Sequence, residues 1–196
     1  MSILFAFVGR RGAGKDTAAN MVFNIIEDNQ IGGVSASFAF ADPLKAMAHK
    51  TLGITLEQSE FLKRNPAIKI VNNLDLRSYY NVFGDVLKSN FGDDIFRNKT
   101  ILGIQEALDE INIDTITLTD VRYPQELKAL KELCLKNNIK FISVKLINIS
   151  NPDIDNSHES ESQIDSIDTE YTIRAKNPQE IKNEMENICN GIFTTV

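Results

Sequence analysis

The stretch from Ile3 to Thr17, Ile-Leu-Phe-Ala-Phe-Val-Gly-Arg-Arg-Gly-Ala-Gly-Lys-Asp-Thr, indicates the fold of this chain. Its first six residues, Ile3 to Val8, are an unbroken apolar run, which is typical of a strand buried on both faces of a parallel sheet. Past the glycines, apolar residues recur at helical spacing at Ala18, Met21, Val22, Ile25 and Ile26. A buried strand, a glycine loop and a helix in this order open a nucleotide-binding α/β fold.

The loop itself has the Walker A spacing, with Gly9, four further residues, and then Gly14-Lys15. Glycines let successive backbone N–H groups point into one concavity, and the following helix presents its positive end to an anion. A lysine at this position reaches the β- and γ-phosphates of a nucleoside triphosphate. The residues predicted to bind ATP are Gly9, Arg11, Gly12, Ala13, Gly14, Lys15, Asp16 and Thr17.

The residue after the lysine is Asp16, where this motif usually has a Ser or Thr whose hydroxyl binds Mg²⁺. A carboxylate is also a suitable ligand, because hard cations prefer oxygen. We therefore predict a Mg²⁺ site at Asp16, with Thr17 as a second oxygen ligand. The alternative is that Asp16 only stabilises the positive N-terminus of the helix.

The rest of the chain alternates between strand-like and helix-like patterns. Strands are predicted at 34–40, 115–119, 141–147 and 171–174, and helices begin at Asp42-Pro43, Pro124 and Asn177-Pro178, the last with a capping-box residue, Glu180. The fold class expected is α/β, a three-layer P-loop sandwich like that of adenylate kinases, with a mainly parallel sheet and helices on both faces.

We expect a single domain over residues 1–196 with two special regions. The helical region at about 42–112 is predicted to bind the phosphate acceptor. The segment at about 148–170 is predicted to be a lid, because it holds seven acids and no Lys or Arg. A lid without arginines requires other cations over the phosphates, for which Lys15, Arg122, Arg11, Arg97 and Lys145 are the candidates.

Arginines suit an acceptor that carries a phosphate, because the planar guanidinium pairs with two phosphate oxygens at once. Arg122 follows a predicted strand, and ligands of open α/β sheets bind at the carboxyl ends of strands. Asp120, two residues earlier, could orient a water on Mg²⁺ or activate the acceptor oxygen. Lys15, Asp120 and Arg122 are therefore the predicted catalytic residues. The residues predicted to bind the acceptor are Asp42, Lys45, Arg77, Arg97, Arg122 and Glu161.

Two aromatic residues of the acceptor region have alternative interpretations. Tyr79 and Tyr80 could contact the base or the sugar of a nucleotide. An aromatic stripe at helical spacing is more often part of a core, however. Asp42 could likewise serve only as a helix cap.

Four blocks of sequence together resemble the deoxynucleoside monophosphate kinases of tailed bacteriophages. They are Gly-x-x-Gly-x-Gly-Lys-Asp-Thr at 9–17, Phe-Ala-Asp-Pro-Leu-Lys at 40–45, Asp-Val-Arg-Tyr-Pro-x-Glu at 120–126 and His-x-Ser-Glu at 158–161. The resemblance implies transfer of a phosphoryl group from ATP to a deoxynucleoside monophosphate, with Mg²⁺, in DNA precursor synthesis. Asn81, Asp85 and Phe96 stand where the family pattern has Gln, Thr and Trp, and these departures concern base selectivity.

Composition limits the partners of the chain. A net charge of −6 argues against general nucleic-acid binding, and no apolar run reaches the ~20 residues of a membrane span. Cys134 and Cys189 lie in apolar helical patterns, which indicates buried thiols in a reducing compartment. We expect a cytoplasmic protein, in the host cytoplasm if phage-encoded, whose partners are small nucleotides. The sequence leaves open whether the chain forms a homodimer.

Two other functions fit parts of the pattern. One is a P-loop kinase for another small acceptor, such as dephospho-coenzyme A or phosphomevalonate. The other is a nucleotide-dependent switch. Asn98-Lys99 is followed by Thr100-Ile101, so the Asn-Lys-x-Asp motif by which GTPases recognise guanine is absent at that place.

Overall fold

The computed structural model describes residues 2–28, 33–150 and 163–193. Within them lies a sheet of five strands, in which every neighbouring pair is parallel and the order is β2-β3-β1-β4-β5. The strands are β1 (Ile3–Val8), β2 (Val34–Phe38), β3 (Ile113–Val121), β4 (Lys140–Asn148) and β5 (Tyr171–Ala175). β1, the most apolar strand, is therefore central.

The described helices begin largely where the sequence predicts. They are α1 (Lys15–Asp28), α2 (Asp42–Leu52), α3 (Leu56–Arg64), α4 (Leu76–Phe91), α5 (Ile95–Glu110), α6 (Pro124–Asn137) and α7 (Pro178–Phe193). The cap predicted for α7 is confirmed, because Asn177 Oδ1 accepts a hydrogen bond from the Glu180 backbone N–H at 3.0 Å. A short 3₁₀ turn, Ile164–Ser166, precedes β5.

Helices cover both faces of the sheet, which confirms the predicted α/β class. Successive side chains of a strand point to opposite faces. Ile3, Phe5 and Phe7 join one buried cluster with residues of α1 and α7. The alternate residues of β1 are equally buried, and α6 packs against β1 and β4 with its own buried stripe, Leu127, Leu130, Leu133 and Cys134.

Two strands, β2 and β3, have carboxyl ends that lie two residues from the predicted position. β2 ends at Phe38 rather than at residue 40. β3 continues to Val121, so Asp120 lies inside the strand and not beyond it. The reason is burial, since Val121 is fully buried and pairs with Val8 of the central strand.

The chain divides into two compact units. The sheet unit comprises Met1–Ala39 and Gly103–Val196, and the helical unit comprises Phe40–Leu102. The predicted acceptor region, about 42–112, overlaps the helical unit in sequence, and its role stays a prediction, as does the single domain over 1–196. Within the described residues, no helix is long and apolar enough to cross a membrane.

The helical unit has a small core of its own. Ala48, Leu76 and Tyr80 are its buried members, with Leu44, Leu62 and other apolar side chains packed around them. Two of its helices begin at side-chain caps: Thr55 caps α3 in a capping box with Gln58, and Asp75 caps α4 by accepting from the Ser78 N–H at 2.9 Å.

Candidate functional site

Strand register brings the predicted catalytic segments of the sheet unit together at one edge. Val8, the last residue of β1, pairs with Val121 of β3 on one side and with Lys145 of β4 on the other. The loop that starts at Gly9 therefore emerges between the ends of β3 and β4. Arg122 follows Val121 directly, so the glycine loop and the Asp120–Arg122 segment are neighbours at the carboxyl edge of the sheet.

The glycine loop packs too closely on β4 for a side chain at its first position. A Cβ atom at Gly9 would lie 2.7 Å from the backbone oxygen of Leu146. Gly14 has a φ of +93°, a left-handed conformation that side chains resist, and a Cβ there would meet Ile181 of α7. A bond from Ala13 N to Arg10 O at 3.1 Å closes the turn between them. These contacts fix the loop backbone in place.

Lys15 lies inside this loop rather than in solvent. Its exposed fraction is 8%, and its Nζ donates to the carbonyl oxygens of Gly9 at 2.7 Å and Arg10 at 2.8 Å. An ammonium group has three donors and is strongly hydrated, so burial without such acceptors would be costly. The loop thus holds a positive charge at the N-terminus of α1, where an anion is also favoured by the helix dipole.

The residues predicted to bind Mg²⁺ lie in the first turn of α1. Asp16 is exposed and Thr17 is half-buried. Among the described residues, no group of three or more His, Cys, Asp or Glu side chains is placed to hold a metal ion. Mg²⁺ is usually held by one or two protein oxygens together with phosphates and water. Binding of Mg²⁺ by Asp16 and Thr17 stays a prediction.

Asp120, Arg122 and Glu126 form a charged group at the end of β3. Asp120 and Arg122 are both half-buried. Glu126 Oε2 accepts hydrogen bonds from the backbone N–H groups of Arg122 at 2.8 Å and Tyr123 at 3.1 Å. The pKa of Glu126 is raised to about 7, mainly by burial of the carboxyl group. The two backbone hydrogen bonds and the charge of Arg122 lower this pKa, and the negative charge of Asp120 raises it.

A pocket of about 430 Å³ opens beside the glycine loop in the sheet unit, a volume within the range of small-molecule sites. Four of its lining residues are basic and one is acidic, which makes the lining suitable for an anionic ligand. They are Arg10, Arg11, Lys145, Arg174 and Asp165. The remaining lining residues are Ala13, Leu146, Ile147, Asn148, Ile149 and Ile164.

Asp165 connects the segment before β5 to the glycine loop. Its carboxylate accepts from Arg10 Nη2 at 2.6 Å, and its backbone oxygen accepts from Lys145 Nζ at 3.3 Å. Asn148 Nδ2 donates to the backbone oxygen of Gly12 at 3.3 Å. No sequence motif predicts an individual catalytic or binding role for Arg10, Asn148, Asp165 or Arg174. One local feature of the sequence concerns Arg174. Successive side chains of β5 point to opposite faces of the sheet, so Arg174 lies on the other face from the buried Ile173 and Ala175.

The acceptor residues predicted in the helical unit have mostly local contacts. Lys45 Nζ lies 3.2 Å from Asp42 Oδ1, and Arg97 Nη2 lies 3.3 Å from Asp94 Oδ2. Arg77 is exposed in the first turn of α4. The interpretation of Asp42 as a helix cap is wrong, because the N-cap of α2 is Ala41 and Asp42 lies in the first helical turn. Binding of an acceptor by these residues stays a prediction.

Tyr80 is part of the core of the helical unit. Its exposed fraction is 9%, and its hydroxyl lies 2.5 Å from His49 Nε2. Burial lowers the pKa of His49, and nearby Lys63 and Lys45 lower it further. Tyr79 is half-buried and stacks on Phe83, with ring centroids 5.6 Å apart. The structure thus favours a packing role for Tyr80 over contact with a base or sugar.

Two predictions fall on residues that lie outside the described part of the chain. They are the acceptor contact at Glu161, in the His158–Glu161 block, and most of the lid segment at about 148–170. Both stay predictions.

No protein-family model matches this chain, and no curated protein matches it. Solved structures similar to it include the APS kinase CysC of Mycobacterium tuberculosis in complex with AMPPNP and APS, at 11% identity and a TM-score of 0.47, covering 96% of each chain. A cysteine-to-alanine mutant of the same enzyme matches at 12% identity and a TM-score of 0.44, covering 96% of this chain and 95% of the other. Likeness at this level does not define a substrate, so the proposals below depend on this chain's own residues.

The chain is thus an α/β protein with an all-parallel five-stranded sheet, and a Walker A loop follows the central strand of that sheet.

Proposed function

We propose that this chain is a P-loop kinase that transfers the γ-phosphoryl group of ATP to a deoxynucleoside monophosphate. The observation that carries the proposal is the register of the central strand, which joins Val8 to Val121. It places the phosphate-binding loop beside the segment that carries Asp120 and Arg122. A phosphoryl transfer enzyme needs both a donor site and an acceptor site within reach of one another.

The donor side consists of the glycine loop and Lys15. Backbone N–H groups and the α1 N-terminus bind the phosphates, and the Lys15 ammonium stabilises the charge that develops on the transferred group. A Mg²⁺ ion held by Asp16, Thr17 and the phosphates would neutralise charge at the β- and γ-oxygens. The basic pocket beside the loop offers further cations for the same nucleotide.

On the acceptor side, Arg122 binds the phosphate of the monophosphate and Asp120 orients its attacking oxygen. That oxygen attacks the γ-phosphorus in line, the bond from the γ-phosphorus to the β–γ bridging oxygen breaks, and ADP leaves. The new bond gives a deoxynucleoside diphosphate. The choice of a deoxynucleotide is supported only by the family resemblance of the sequence.

The test is a coupled ADP-release assay with ATP, Mg²⁺ and a panel of dTMP, dGMP, dCMP, dAMP and the corresponding ribonucleotides. We expect stimulation by at least one deoxynucleotide above its ribonucleotide. Equal rates with AMP and dAMP alone would indicate an adenylate-kinase-like enzyme. No stimulation by any monophosphate would contradict the proposal and favour another small acceptor, and slow acceptor-independent hydrolysis would favour a switch.

A further inference from the structure

We propose that Glu126 is the positioning residue for Arg122 and that the acceptor phosphate binds there together with a proton taken up by Glu126. This inference rests on the function proposed above, in which Arg122 binds the phosphate of a monophosphate. Glu126 thereby has a second role, because its local sequence explains only the start of α6.

The geometry ties Glu126 to the backbone of the residue it positions. Its Oε2 accepts from the Arg122 N–H at 2.8 Å and from the Tyr123 N–H at 3.1 Å. Both donors lie in the turn between β3 and α6, where the chain leaves the sheet edge. The carboxyl group of Glu126 therefore holds the backbone of Arg122 in place, and that backbone sets the position from which the Arg122 side chain extends.

The charged groups that act on Glu126 are few. They are Asp120 from β3 and Arg122 from the turn. α6 packs against β1 and β4. β1 has no ionisable side chain, and β4 carries Lys140 and Lys145. With this pKa raised to about 7, mainly by burial, both protonation states are populated near neutral pH.

An incoming phosphate changes this balance. A phosphate dianion on Arg122 adds negative charge beside the carboxyl groups of Asp120 and Glu126 and engages the guanidinium that favours the ionised form of Glu126. Like charges raise the pKa of a carboxyl group, so Glu126 binds its proton more tightly in the complex. Each pKa unit of that increase strengthens acceptor binding about tenfold at low pH relative to high pH.

The chain offers a matched control for the capping function. Pro178-Gln179-Glu180 at the start of α7 repeats Pro124-Gln125-Glu126 at the start of α6. Glu180 Oε2 also accepts from a backbone N–H, that of Lys176, at 2.8 Å, but in an exposed setting. Glu180→Gln removes the charge of a capping carboxylate without touching the edge that carries Arg122.

The experiment compares the parent chain, Glu126→Gln and Glu180→Gln. Titration calorimetry with the most active monophosphate of the panel, at pH 7.5 in two buffers of different ionisation enthalpy, gives the number of protons taken up. We expect uptake by the parent chain and by Glu180→Gln, and a clear loss of it in Glu126→Gln. In the parent, kcat/KM for the monophosphate should fall about sixfold from pH 6.5 to 8.5 if binding raises the pKa of Glu126 by one unit. Glu126→Gln should lack this fall, whereas the KM for ATP, which binds at the glycine loop, should change little.

Equal proton uptake in the parent chain and Glu126→Gln would overturn the inference. Failure of the parent to bind any monophosphate would instead contradict the proposed function. If Glu126→Gln does not fold, the carbon-13 shift of the Glu126 carboxyl group can be titrated in the parent chain with and without the monophosphate. A midpoint that does not rise on binding would overturn the inference as well.

Discussion

Lys15 combines burial with a charge, and its two carbonyl acceptors explain why the fold tolerates it. Its Nζ donates to Gly9 O and Arg10 O, which belong to the same loop that is predicted to bind phosphates. A bound phosphate would therefore compete with these carbonyl oxygens for the hydrogen-bond donors of the lysine. The contribution of the charge to catalysis and its contribution to the loop can be separated by experiment.

Lys15→Met should abolish most turnover while the protein stays folded. Methionine fills a similar volume but cannot stabilise the charge that develops on the transferred phosphoryl group. We expect kcat to fall by roughly 10²–10³, the effect of removing one such donor. Steady-state kinetics measures this, and circular dichroism with a thermal unfolding curve checks the fold. A folded variant with a near-normal kcat would remove Lys15 from this role.

Arg122→Lys should not behave as a conservative substitution. Lysine keeps the charge but loses the two parallel hydrogen bonds by which a guanidinium binds a phosphate. We expect a large decrease in kcat/KM for the monophosphate and a small change in the KM for ATP. The two constants, measured on the same variant, serve as each other's control. An equal loss for both substrates would place Arg122 outside the acceptor site.

At the scale of elements, the glycine loop depends on its contact with β4. The backbone oxygen of Leu146 lies 2.7 Å from the position that a Cβ at residue 9 would take, and backbone atoms cannot move aside as a side chain can. The packing of the glycine loop against β4 thus sets the loop geometry. This packing explains why the motif has a glycine at position 9.

Gly9→Ala should destabilise the protein and displace the loop. We expect a decrease in the free energy of unfolding of roughly 1–3 kcal/mol, as for other overpacked sites. Nothing lies within 4 Å of a Cβ at Gly103 in α5, so Gly103→Ala should stabilise by about 0.5–1 kcal/mol. Urea denaturation of both variants tests the contrast. Two equal and small effects would mean that the loop does not press on β4.

At the scale of the whole molecule, the buried carboxyl group of Glu126 links stability to pH. Its pKa is raised from 4.5 to about 7 in the folded chain, so between these values the folded form holds a proton that the unfolded form releases. Stability from this group is complete below the lower value and decreases as pH rises to the higher one. His49 acts in the opposite direction, because its pKa is lowered on folding.

Glu126→Gln should remove this pH dependence. A shift of about 2.5 pKa units corresponds to about 3 kcal/mol. We expect the free energy of unfolding of the variant to rise relative to the parent between pH 4.5 and 7, by at most that amount, and to keep a constant difference above pH 7. Chemical denaturation at several pH values measures it. Parallel stability profiles would show that Glu126 titrates normally.

The sequence by itself determined the strand–loop–helix opening, the α/β class and the starts of three further helices, α2, α6 and α7. These follow from periodicity and from the local chemistry of Gly, Pro and capping residues, which act within a few neighbouring positions. Val8-Gly9 at the end of an apolar run is a signal of this kind. So is the Asn177 cap of α7.

Only the tertiary structure determined which residues distant in sequence come into contact, and how burial and neighbouring charges change the pKa values of their side chains. Arg10 and Asp165 are 155 positions apart along the chain, yet Arg10 Nη2 donates to the Asp165 carboxylate at 2.6 Å in the folded protein. The Pro-Gln-Glu starts of α6 and α7 are the same in sequence, yet Glu126 is buried beside Asp120 and Arg122, whereas the backbone bond of Glu180 is exposed. Desolvation and charge pairing depend on the surroundings in space, which no local pattern encodes.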